Sequence, residues 1–124
     1  MQLPADARLI ILATNWGYPG TLDQFCEAAK KEGYDGIEIC WPVTPSEQEA
    51  LFSALKKHRL EVGFLCGGSQ KDFAEHLDTF TRNLEAATTN PFQKPVYINC
   101  HSGRDFFSME EGFRFIDATT KAHQ

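Results

Sequence analysis

The stretch Gly33-Tyr34-Asp35-Gly36-Ile37-Glu38-Ile39-Cys40 sets one carboxylate in the middle of a short apolar run, directly after a glycine-bounded turn. Successive side chains of an extended chain point to opposite faces, so Ile37 and Ile39 share one side and Glu38 takes the other. A carboxylate turned toward apolar helices would be costly. The stretch therefore reads as a strand with an apolar outer side and a polar inner one. Working outward, the same grammar recurs around residues 9–13, 62–66 and 96–100. Each apolar run is followed by a Gly- or Pro-bearing loop, a helix-start signal and an amphipathic stretch. None alternates strictly over a long span, which suits parallel strands covered on both faces.

The helix starts are well marked. Thr21 stands three residues before Gln24, Thr44 precedes Pro45 and Glu47, Ser69 precedes Asp72, and Ser108 precedes Glu111. Each places a hydroxyl where it can accept from the free amides of a first turn. Apolar stripes follow at helical spacing: Leu51, Phe52 and Leu55, then Phe73, Leu77, Phe80, Leu84 and Ala87, then Met109, Phe113 and Ile116. The reading predicts strands over 8–14, 36–40, 62–66 and 96–100, with helices over 21–32, 46–58, 70–88 and 109–122.

Spacing sets the expected architecture. Strand centres at Ile11, Glu38, Phe64 and Ile98 recur every 26 to 34 residues or so, close to the ~31 per unit of an eight-unit barrel. Strand, helix, strand at that period demands right-handed crossovers and a parallel sheet. The expectation is an α/β chain of four parallel βα units in the order 1-2-3-4, the first half of a TIM (β/α)8 barrel, forming a single half-barrel domain over residues 1–124. A doubly wound four-strand sheet is the structural alternative. Half a barrel leaves two unpaired strand edges, so a homo-dimer or a C-terminal half-barrel is the expected partner.

Composition excludes several classes. The 17 Asp and Glu against 12 Lys and Arg give a formal charge of −5, with no basic run, which removes the electrostatic basis for binding nucleic acid. A hydrophobic fraction of 42% with 10 Phe supplies a core. No membrane or export signal is read, and Cys26, Cys40, Cys66 and Cys100 form no CxxC pair, so reduced thiols in the cytoplasm are expected. GxSxG, Walker and HExxH motifs are absent, which leaves serine hydrolase, nucleotidase and zincin chemistry without support.

Strand-end loops form the functional face of such folds. Glu38 and His101 are the candidate catalytic residues, the first as an inward carboxylate and the second as an imidazole opening a polar loop. Asn15, Trp16, Trp41, Asn99 and Arg104 are the candidate substrate-binding residues, with Arg104 also the expected partner if Glu38 is a structural ion. Gly67-Gly68-Ser69 is a minimal phosphate cradle or a tight turn. A zinc site from Cys40, Cys66, Cys100 and His101 fails on parity, because an inward His101 turns Cys100 outward. His58, His76 and His123 are expected on helix surfaces.

The first stretch is similar to the second-strand G-[FY]-D-G-[IV]-E signature of the xylose-isomerase-like TIM barrels, the sugar phosphate isomerase/epimerase group. Tyr97-Ile98-Asn99-Cys100-His101-Ser102-Gly103 resembles the same group, and also the His-Pro-Gly of the related metal-dependent endonucleases, with Ser102 in place of Pro. The Asn15-Trp16-Gly17 loop and the Gly-rich third loop fit that layout. The resemblance spans nearly the whole chain and about half of a family member. It implies isomerisation or epimerisation of a small sugar or polyol by proton transfer beside a carbonyl, assisted by a divalent metal. The family's principal metal ligands and acid/base glutamates lie on strands five to eight, so the chain is expected to be weakly active or inactive alone. The alternatives are a non-catalytic sugar-binding or interaction half-barrel and an endonuclease-like metal phosphodiesterase.

Overall fold

The computed structural model describes residues 2–122. Four strands, β1 (Leu12–Thr14), β2 (Gly36–Cys40), β3 (Glu61–Cys66) and β4 (Tyr97–Cys100), alternate with four helices, α1 (Leu22–Lys31), α2 (Pro45–His58), α3 (Phe73–Thr89) and α4 (Met109–Ala122). All strand pairs are parallel, in the order β1-β2-β3-β4. β1 is shorter than expected because its partner strand begins only at Gly36, opposite Leu12.

The decisive stretch is built residue by residue. Gly33 takes a φ of +89°, ending α1 in the left-handed conformation that glycine adopts without cost. Its N–H donates to the Lys30 carbonyl and that of Tyr34 to the Ala29 carbonyl, at 3.1 and 3.0 Å. The Asp35 carboxylate accepts from the Ile11 N–H at 2.8 Å, tying the chain before β1 to the start of β2. That amide bond, with Arg8 beside it, holds the Asp35 carboxyl below its ordinary value. Gly36 then passes so close to β3 that a Cβ would meet the Glu61 carbonyl oxygen at 2.2 Å.

Thr21–Gln24, Thr44–Glu47 and Ser108–Glu111 each make the expected reciprocal cap. α3 differs. It starts at Phe73, and its cap is Asp72 rather than Ser69, with the carboxylate accepting from the Glu75 N–H at 3.0 Å. An aspartate one residue from the helix caps it as well as a serine three residues earlier could.

Register assigns the two faces of the sheet. Ile37, Val62, Phe64, Cys66, Ile98 and Cys100 share one face with Ala13. Phe25, Cys26 and Ala29 of α1 cluster there with Leu51, Phe52, Ala54 and Leu55 of α2 and Ala87 of α3. Phe73, Phe80 and Leu84 of α3 and Phe115 of α4 form a second cluster around Ile98 and Cys100. All four helices thus cover the same face, where a doubly wound sheet would divide them between two.

Two expectations are corrected. The α4 stripe of Met109, Phe113 and Ile116 is exposed, and among the described side chains of that helix Phe115 is the buried one, 4.9 Å from Phe80. His76 is fully buried, not a surface residue, because it shares the α3 face that carries Phe73 and Phe80. Phe80, Phe107 and Phe115 surround its ring, and neither ring nitrogen has a hydrogen-bond partner among the described residues. His58 is half-buried and 2.9 Å from Asp23; His123 lies outside the described residues.

Burial, and then the positive charge of Arg104, lower the His76 pKa below 6.5. Its neutral form is favoured in the fold, so its contribution is complete above the unfolded value and is lost as pH falls below it. Chemical denaturation at pH 7.5 and pH 5.5 should show stability falling by up to ~1.4 kcal/mol per pH unit from this group. His76→Phe should flatten that slope; an unchanged slope would show that the ring is not held neutral.

Candidate functional site

The face opposite the helices carries most of the candidate polar side chains. In register across the sheet run Thr14 on β1, Glu38 on β2, Gly63 on β3 and Tyr97 on β4. Gly63 supplies no side chain, and a Cβ there would meet the Tyr97 ring at 2.6 Å. The aromatic ring therefore lies across β3, and its hydroxyl donates to the Glu38 carboxylate two strands away. Partial burial, with the carboxylate's bond and charge beside it, pushes the Tyr97 phenol up to about 12. The phenol stays protonated and remains a donor, which leaves the other Glu38 oxygen without a protein partner among the described residues.

One step toward the strand ends stand Cys40, Leu65 and Asn99 in the next row, and Asn99 is exposed. His101 follows on the same side and is also exposed, its backbone N–H donating to the Cys66 carbonyl at 2.8 Å. A cavity of about 190 Å³ at this end is lined by Trp16, Cys40, Trp41, Leu65, Gly67 and His101, among others. Trp16 is 72% exposed, whereas Trp41 is buried edge-on to Phe64 at 5.0 Å and offers only its rim.

Of the sequence-derived candidates, the fold brings Glu38, Asn99 and His101 to one face and Trp16 and Trp41 to its rim. Asn15 lines an adjoining groove of about 520 Å³ that shares Cys40 and Trp41 with this cavity. That groove is larger, and it runs from the loops after β1 and β2 onto the first turns of α1 and α2. Two of its polar groups are already engaged, Thr21 and Glu47 each holding a helix cap. Arg104 lies over the Phe106 ring at 5.7 Å, and the partner of Glu38 is Tyr97 instead. Tyr97 is the side chain of this candidate site that the sequence pattern does not single out.

No family model, curated protein or solved structure matches this chain. Its chemistry therefore rests on its own residues. Among the described residues no group of three or more His, Cys, Asp or Glu side chains is arranged to hold a metal ion. The divalent metal implied by the resemblance thus finds no such ligand group among the described residues. Cys66 and Cys100 turn toward the helices while Cys40 shares the face of Leu65, so the thiols do not converge. Burial pushes the Cys66 thiol up to about 12 and the Cys26 thiol to about 11, which leaves both protonated and poor nucleophiles. A Cβ on Gly68 would press on Gln70 and the His76 ring at 2.7 and 3.1 Å, so close packing accounts for that glycine without a phosphate. Among the described residues no helix is long and apolar enough to cross a membrane.

Proposed function

We propose that this chain is one half of a (β/α)8 barrel of the sugar isomerase/epimerase type, and that its open strand-end face binds a small sugar or polyol. The observation that carries the reading is the Glu38–Tyr97 pair, a carboxylate oriented by a phenol on the side of the sheet left free of helices. A carboxylate fixed by a donor on one oxygen presents the other to a substrate hydroxyl, a charge-assisted bond of the kind carbohydrates accept well. Asn99 and His101 add hydrogen-bonding groups along the same face, and Trp16 adds an apolar surface for a ring. The four free thiols accord with a reducing, cytoplasmic setting.

Chemistry open to the chain alone is hydrogen bonding by Glu38, Tyr97 and His101 and proton transfer by Glu38 and His101. The family's remaining acid/base groups would come from a second half, and lack of such a group typically costs ~10²–10⁴ in rate. The isolated chain is expected to bind without appreciable turnover.

Calorimetric titration with a panel of ketoses and polyols tests this. Glu38→Gln should weaken binding by roughly 10- to 100-fold, the loss of a bond to a charged group. His101→Ala and Gly63→Ala should each weaken it too, the latter by displacing Tyr97. Binding unchanged in Glu38→Gln and His101→Ala would end the proposed site. Robust ketose epimerisation by the isolated chain would show that the second half is not needed.

A further inference from the structure

The two edges of the sheet are unlike, and each has what the other lacks. Beyond β4, the edge has a helix with no strand beneath it. α4 leans on α3 through Phe115, while Phe113 and Ile116 are left 65% and 62% exposed. Beyond β1, the edge has apolar chain with no helix above it. Ile11 stands one residue before β1, its carbonyl accepting from the Asp35 N–H at 2.9 Å, and continuing the alternation of β1 would put its side chain on the helix-bearing side with Ala13. It is 50% exposed, and Leu9 is 73% exposed.

We propose that a second copy of this chain closes the sheet, with β1 of each copy running beside β4 of the other and α4 of each covering Ile11 of the other. This rests on the half-barrel reading and commits it to one occupant. The exposed area supports such a partner. A chain of 14.0 kDa exposes 8617 Å², whereas a compact monomer of that mass exposes about 6,700 Å². The excess of about 1,900 Å² per chain is what a permanent dimer interface covers. Joining the edges by a two-fold axis pairs the outer backbone groups of both edge strands and leaves no open edge. It also brings two Glu38–Tyr97 pairs into one ring, so the closed mouth draws on both copies.

Sedimentation equilibrium of the whole chain at micromolar concentration is expected to give the dimer mass. Ile11→Lys and Phe113→Glu should each give monomers with the circular dichroism of the parent. Mixing the two variants should restore a dimer, because one interface then remains unaltered and the other gains a Lys–Glu pair. A folding defect would not be rescued by mixing. A monomeric parent overturns the proposal, as does a dimer insensitive to both substitutions or variants that fail to reassociate. With a monomeric parent, binding of an apolar dye separates two cases. Strong binding leaves the half-barrel reading standing with a different occupant, and no binding takes that reading down too. Polyol titration of the monomeric variants tests the Glu38 site separately.

Discussion

Gly36→Ala is expected to cost about 3 kcal/mol of stability or more, the scale of overpacking that nothing nearby can absorb. The new Cβ would stand 2.2 Å from the Glu61 carbonyl oxygen and 2.5 Å from its carbon, both backbone atoms of β3. A flexible side chain could turn away; a strand inside the sheet cannot, without breaking the Gly36–Glu61 register that begins the longest pairing of the fold. Gly112→Ala is the matched control, since a Cβ there meets nothing within 4 Å on α4. That change should stabilise the chain by roughly 0.4–1 kcal/mol through the unfolded state. Urea denaturation of both variants checks the pair. A Gly36→Ala variant within a few tenths of a kcal/mol of the parent would mean that β2 and β3 do not meet at this register.

Phe80→Ala is expected to cost about 3–5 kcal/mol, the range for deleting a fully buried aromatic ring. Phe80 is 1% exposed and touches Phe115 at 4.9 Å, which makes it the joint between α3 and α4. Its ring also stacks beside His76, at 6.5 Å, so its removal opens a cavity next to two unpartnered ring nitrogens. Phe80→Leu should keep more than half of the lost stability by filling most of that volume. Equilibrium denaturation with both variants tests this, and a loss below about 1 kcal/mol for Phe80→Ala would show that α4 is not packed on α3.

The elements were legible because each is announced locally. Hydroxyl caps, the Gly33 stop and five-residue apolar runs act within a few residues of themselves, and the period of the runs implies a parallel sheet. Glu38 was legible for the same reason: alternation inside one strand separates it from Ile37 and Ile39. The Tyr97 hydroxyl was not, because its partner lies on β2, with β3 between them. Only the register across Gly63 joins them, and the usable signal was that Tyr97 and Asn99 share parity. His76 escaped because the stripe on α3 was read through Leu77; position 76 lies on the same buried face, three residues after Phe73. The α4 stripe is apolar as its spacing indicates, yet Met109, Phe113 and Ile116 are exposed. Periodicity reports that a face is apolar and does not report what packs on it.

The strand order β1-β2-β3-β4 also has a consequence for how the molecule is made. Each strand after the first pairs with the one synthesised just before it. No strand waits for a partner encoded far downstream, as central strands do in sheets whose order is permuted. Every completed unit can therefore dock on its predecessor while the ribosome is still translating the next, and the buried faces of α1, α2 and α3 are covered soon after they emerge. Apart from the outer edge of β1, the growing polypeptide exposes one unfinished sheet edge at a time, which limits its opportunities to aggregate during synthesis.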